Sequence, residues 1–259
     1  MSHTARFAAV LCWVLVAGIA AEASESLPEQ LMRAVAEPDR PQRDRARDVD
    51  RKPAEVLAFF GVRPGMTVVE LMAGGGYYVE ILSRAVGQGG KVIAHNNQFV
   101  LDRFAEGPLS ARLAENRLPN VERVTSEVDE LPFQENSIDL LILNRFYHDL
   151  FWQKRPDGES PDRARMNTLI LRALKPGGVF GVVDHHAEPG SRGRDAQTLH
   201  RIDARLVKQE ILAAGFILDE ESDLLKNSSD TRDWNIFADD AARRDQTDRF
   251  VYRFRKAKQ

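Results

Sequence analysis

The chain has 259 residues, with 36 Lys and Arg against 39 Asp and Glu, and a formal net charge of −3. So even a balance produces no global positive field to draw the protein to nucleic acid, and none is expected as a partner. The only cysteine is Cys12, inside a leader-like stretch, so the rest of the chain can form no disulfide, thiolate nucleophile or Cys-ligated zinc site.

Residues 1–23 read as a secretory signal. Arg6 supplies a positive start, Phe7 to Ala21 is an apolar core, and Ala21-Glu22-Ala23 is a small-x-small cleavage site. The core is shorter than the roughly 20 residues that span a bilayer, so the expectation is cleavage near Ala23, export to the periplasm and no stable membrane anchor. Export without disulfides suits a bacterial envelope protein large enough to bury its own core. Residues 24–64 then form N-terminal helices and a charged connector, and 65–259 form the main domain.

Leu27 to Ala36 has helical spacing and is followed by Pro38 and Pro41. The run from Asp39 to Glu55 mixes both charge signs almost evenly, the pattern of a solvated segment laced with local ion pairs. Pro53 opens a second helix that ends at Phe60, because Gly61 and Pro64-Gly65 turn the chain. Thr67-Val68-Val69 is a β-branched strand ending at Glu70. Three glycines follow, Gly74 to Gly76, and then a helix carrying Tyr78, Ile81, Leu82 and Ala85. Such a strand, glycine turn and helix brings backbone N–H groups and a positive helix end up to a ligand.

Further on, Lys91 to Ala94 is a buried strand, Phe99 to Leu113 a helix interrupted at Gly107-Pro108, and Val121 to Thr125 a third strand. Ile138 to Leu143 is apolar after Asp139 and too short for a helix, as in a central parallel strand. Met166 to Leu174 predicts a helix, Val179 to Val183 a strand ending in Asp184-His185-His186, and Leu199 to Ala214 one helix whose His200 lies on its surface or over a pocket. Two strands close the chain, beginning at Phe216 and Phe250. This order predicts an α/β, doubly wound, Rossmann-like sheet of seven strands, mostly parallel with an antiparallel last strand, and helices on both faces. Ligands in such sheets bind beyond the carboxyl ends of the strands, here near Glu70, Asn96, Asn144 and Asp184.

The glycine turn fits neither a dinucleotide fingerprint, since Val79 stands at the third glycine position, nor a phosphate loop, since no Gly-Lys-Ser/Thr follows. Glu70-Leu71-Met72-Ala73-Gly74-Gly75-Gly76 resembles the first motif of the class I S-adenosylmethionine-dependent methyltransferases. Three further landmarks follow in register: Glu127 to Phe133 with Asn136 to Asp139, Leu174 to Gly178, and Ala213 to Phe216. Within that class the chain resembles a group of exported methyltransferases with Tyr-His-Asp after strand four and Asp-His after strand five, a group without an established acceptor.

The resemblance implies S-adenosyl-L-methionine as cofactor, with Glu70, Ala73, Gly74, Gly75 and Gly76 along its methionine part. It places Asn96 at the ribose, Glu127 and Val128 at the adenine, and Asn144 at the adjoining strand end. Met72 replaces the first motif glycine, and Asn96 replaces the usual acid. Methyl transfer is an in-line displacement at an activated carbon, so a base is needed only when the acceptor must lose a proton. The expectation is His148 as that base, Asp149 or Asp184 orienting an imidazole, Tyr147 shaping the acceptor pocket, and His185 a weaker member. Asn144-Arg145-Phe146-Tyr147 is not the Pro-Pro motif of adenine-N6 or glutamine-amide methylation. A small-molecule or envelope acceptor remains. Two alternatives stand beside this reading: a cofactor-binding protein without catalysis, and a metal site from His148, Asp184, His185 and His200. Oligomeric state is not legible.

Overall fold

A computed structural model describes Met1 and residues 26–151, 160–237, 243 and 245–258; the expected signal beyond Met1 lies outside the described residues. Helix α1 (Leu27–Ala36) is followed by two single turns, α2 (Gln42–Arg45) and α3 (Asp48–Arg51), and by α4 (Pro53–Phe60). Then come β1 (Thr67–Leu71), α5 (Tyr77–Val86), β2 (Lys91–Asn96), α6 (Gln98–Val100), α7 (Glu106–Leu113) and β3 (Val121–Thr125). The second half holds β4 (Ile138–Asn144), α8 (Arg163–Ala173), β5 (Leu174–His185), α9 (Ala196–Leu199), α10 (Ala204–Ala213), β6 (Ile217–Ser222) and β7 (Arg249–Arg255).

The seven strands form one sheet in the order β3-β2-β1-β4-β5-β7-β6. β1 to β5 pair in parallel, while β7 runs antiparallel between β5 and β6. The expected fold class is the one observed. Alternate residues along each strand serve the two faces. Val68, Leu140 and Ile142 pack with α1, α4, α5 and α7, whereas Val69, Leu141 and Leu143 pack with α8 and α10. At Gly181 on β5 an added Cβ would come within 2.8 Å of the Phe60 ring, so the glycine is what lets α4 sit on the sheet. Among the described residues no helix is long and apolar enough to cross a membrane.

Three expectations are corrected. The break before α7 is a π-helical turn over Leu101–Ala105, and Pro108 follows it in the first turn of α7. The single helix expected over 199–214 is two, because His200 adopts φ +53, Ile202 bridges His186 in parallel, and the Asp203 carboxylate caps α10 through the Arg205 N–H at 2.9 Å. The charged connector is not a solvated segment: Arg40, Asp44 and Arg51 are buried, Arg40 pairing locally with Asp48 while the partners of Asp44 and Arg51 are distant in sequence. Arg112 on α7 reaches Asp44 at 2.6 Å, and Arg47 and Arg51 both hold Asp245.

Candidate functional site

The parallel strands β1, β2 and β4 end together, and the turn after β1 is tied to its neighbours through backbone groups. Ala73 N–H donates to the His95 carbonyl at 2.8 Å. The Asn96 side chain grips Gly74 from both sides, its Oδ1 accepting from the Gly74 N–H at 2.8 Å and its Nδ2 donating to the Gly74 carbonyl at 3.2 Å. Gly74 and Gly76 take φ +55 and +82, the left-handed region that glycine enters without strain. Met72, at φ +54, occupies the same region with a buried side chain, which costs roughly 1–2 kcal/mol. The missing motif glycine is therefore compensated by packing rather than by a different turn.

Above this turn lies a cavity of about 460 Å³, lined by Glu70, Met72 to Gly75, Tyr77 and Tyr78, and by Asn144 and Arg145 from β4 and beyond. Its outer wall is the connector, through Arg43, Asp44, Arg47 and Arg51, together with Pro108 and Arg112 of α7. A Cβ on Gly75 would lie 2.9 Å from Pro108, so α7 closes directly onto the loop. The Arg112 Nε also donates to the Gly75 carbonyl at 2.8 Å. A hollow of about 570 Å³ around Gly90, Lys91 and Asn120 sits instead at the amino ends of β2 and β3, the wrong edge for a ligand in this architecture.

Glu70 is the chemical centre of the cavity. It is 4% exposed, its Oε2 has no hydrogen-bond partner among the described residues, and burial pushes its pKa up to about 8 against the pull of the Val79 N–H and Arg112. Around it stand five arginines lining the same space, Arg43, Arg47, Arg51, Arg112 and Arg145. Burial lowers Arg51 to about 10, and Arg145 beside it adds to that shift. Farther along the edge, Asn97 Nδ2 donates to the Glu127 carboxylate at 3.3 Å, and Val128 is fully buried beneath them.

The histidines form a second cluster on the same edge, at the ends of β4 and β5, and none of them lines the cavity. His148 Nδ1 meets Asp184 Oδ1 at 2.7 Å, and Asp184 also accepts from the backbone N–H groups of His148 and His185. Burial disfavours charge on His148, but Asp184 and Asp149 outweigh it and raise its pKa. His185 turns aside to Thr247 Oγ1 at 2.6 Å, and burial lowers its pKa well below the ordinary value. Tyr147 is buried with its hydroxyl between Glu210 and Asn167, under α8 and α10, and does not line this cavity.

The structure thus gathers Glu70, Ala73, Gly74, Gly75 and Asn144 around one cavity, with Gly76 and Asn96 supporting the loop from behind, and sets Tyr147, His148, Asp184 and His185 apart from it. The connector arginines, Asp44 and Arg112 escaped the sequence reading. The only sequence signal of the connector residues is the even charge mixture between Pro41 and Pro53, which is equally the signature of a solvated face, and Arg112 carries no such signal.

Residues 69–182 match the family profile described as a methyltransferase domain. The ubiquinone/menaquinone biosynthesis C-methyltransferase UbiE of Escherichia coli is 30% identical over 144 residues, which are 54% of this chain and 52% of that protein. The chain thus spans about half the length of the curated relatives it matches. A SAM-dependent methyltransferase from Aquifex aeolicus superposes with a TM-score of 0.60 at 19% identity, covering 89% of this chain and 98% of the other. The [4+2]-cyclase SpnF superposes at 0.58 and 16% identity, covering 82% of each chain. Residues 69–182 thus resemble a methyltransferase domain, and the chain shares the fold of solved S-adenosylmethionine-dependent methyltransferases. A fold shared with a cyclase does not by itself fix a reaction.

Proposed function

We propose that the protein is an S-adenosylmethionine-dependent methyltransferase acting on a small-molecule or envelope acceptor. The observation that carries this reading is the cavity over the β1 turn, with the partnerless Glu70 Oε2 inside it and the methyltransferase-domain match running through the same residues. A buried carboxylate short of partners fits the ammonium of the cofactor's methionine part, and the arginine-rich wall fits its carboxylate. Gly74 and Gly75 leave the backbone bare beside them, and Asn97 with Glu127 offers polar atoms for the nucleoside. Asn96 holds Gly74, so its amide supports the ribose region only through the loop. The bound cofactor supplies a methyl group already activated on a sulfonium; the protein's part is to hold donor and acceptor in line and to exclude water. His148 does not line the cavity, and we assign it no role in proton removal.

The test is calorimetric titration of the protein with S-adenosylmethionine and S-adenosylhomocysteine. One equivalent should bind, and Gly74→Ala should lose about tenfold in affinity, equal to about 1.4 kcal/mol, because a Cβ there meets no protein atom and projects into open space. No heat with the parent protein would sink the reading.

The same proposal places the mature enzyme in the periplasm, on the strength of the signal-like residues 1–23. Mass spectrometry of the protein recovered from its native host should find an N-terminus near Ser24, and an intact Met1 start in the cytoplasmic fraction would overturn it.

A further inference from the structure

We propose that His148, Asp149 and His200 form a binding site for a divalent transition-metal ion of the zinc or ferrous-iron class, built beside the cofactor cavity and independent of it. The three side chains each offer one ligand atom, and all of these atoms lie within 4.8 Å of one another. His148 Nε2 is 3.3 Å from Asp149 Oδ1, and His200 Nδ1 is 3.0 Å from the same oxygen. Ligands about 2.0–2.2 Å from a tetrahedral or octahedral ion sit roughly 3 Å apart, so the donors already stand at coordination spacing.

The buried end of the site carries the argument. His148 is 1% exposed, and its Nε2 finds no hydrogen-bond partner among the described residues although it points toward Asp149 and His200. An orphaned ring nitrogen in a protein interior is costly unless something fills the gap. On the far side of the ring Nδ1 faces Asp184 Oδ1 at 2.7 Å, and Asp184 is itself pinned by two backbone N–H groups. That is the arrangement of a metal-ligating histidine: a carboxylate accepts the hydrogen bond from Nδ1–H, fixes the tautomer and leaves the Nε2 lone pair aimed at the ion.

The third ligand is delivered by the break in the helix after β5. His200 takes φ +53, where a non-glycine residue is strained, and this turn brings its ring to within 5.5 Å of the His148 ring. An unbroken helix through 199–214 would give that residue a different direction. Two imidazoles and one carboxylate select zinc or iron over magnesium and calcium, which prefer oxygen donors throughout. Asp149 is the one member of the three that is not buried, which leaves its side of the cluster open to an entering ion. Asp184 and His185 are support here rather than ligands, which revises the ligand set expected from sequence.

The experiment is titration of metal-stripped full-length protein with Co²⁺ and Zn²⁺, reading bound metal by mass spectrometry and cobalt geometry by visible absorption. One equivalent of Co²⁺ should bind with a d–d spectrum, and Zn²⁺ should displace it. Asp149→Asn and His200→Gln should abolish the spectrum, and His186→Gln should leave it unchanged, since that ring packs on Phe250 outside the cluster. Asp184→Asn keeps all three ligands and should weaken binding about 10–100-fold. Circular dichroism of each variant separates loss of metal from loss of fold. Absence of stoichiometric binding in the parent, or binding that survives in both folded ligand variants, would overturn the assignment. S-adenosylmethionine titrations on the same samples keep this result separate from the cofactor proposal.

Discussion

Glu70 sits in the cavity largely protonated near neutral pH, because burial raises its pKa from 4.5 to about 8. A carboxyl whose folded value is raised favours the fold fully below its unfolded pKa, and that contribution is lost as pH rises through the folded value. The loss therefore runs from about 4.5 to about 8. Thermal melts across this window should show a stability decline in the parent that is flatter in Glu70→Gln. Cofactor binding should reverse the protonation, since an ammonium beside the carboxylate favours its charged form. Calorimetry near pH 7 in buffers of different ionisation enthalpy should register proton release in the parent and none in Glu70→Gln, whose affinity should fall roughly 10–100-fold for the lost charge-assisted bond. Equal proton release in both proteins would exclude Glu70 as the source. The acid before a glycine turn was legible in the sequence, and so was Met72 as the odd residue. That Met72 would hold the left-handed turn itself was not, because a φ angle depends on what the side chain packs against.

At the scale of elements, Asp245 fastens the connector to the rest of the molecule. Its carboxylate takes Arg47, Arg51 and Arg145 together, and although burial alone would raise its pKa, those three guanidiniums hold it well below the carboxylate range. Removing one member of a buried ion cluster leaves the others uncompensated and costs about 3–5 kcal/mol. Asp245→Asn should release α2 and α3, with trypsin cutting after Arg43, Arg45 or Arg47 faster than in the parent; mass spectrometry of limited digests reads the sites, and an unchanged digest would show the connector is anchored elsewhere. Period and punctuation made α1, α4 and β3 readable to their end residues, since Pro53, Gly61 and β-branched runs act locally. The burial of the connector was unreadable for the opposite reason. Its partner carboxylate lies 198 residues away, and nothing within a local window distinguishes a charge answered by solvent from one answered by a remote side chain.

Across the whole molecule, the sheet follows from alternating strand and helix signals, whereas the insertion of β7 between β5 and β6 depends on an antiparallel return that no short window encodes. The strand-end rule led to the edge where the cavity lies but drew the cavity and the histidine cluster together as one site. Tyr147 to Asp149 follow β4, and Asp184 and His185 end β5 on that edge, yet Tyr147, His148, Asp184 and His185 are buried and do not line the cavity. The connector has one more consequence, and it concerns the order of synthesis. Gln246 reaches Asp50, and Arg249 reaches the Asp50 carbonyl, across spans of 196 and 199 residues. A chain that emerges N-terminus first presents its connector well before the residues that will clamp it, which are made 196 and 199 residues after Asp50. The cavity wall is thus completed only after those later residues have left the ribosome, and a nascent chain carries the glycine turn without an enclosed pocket to load.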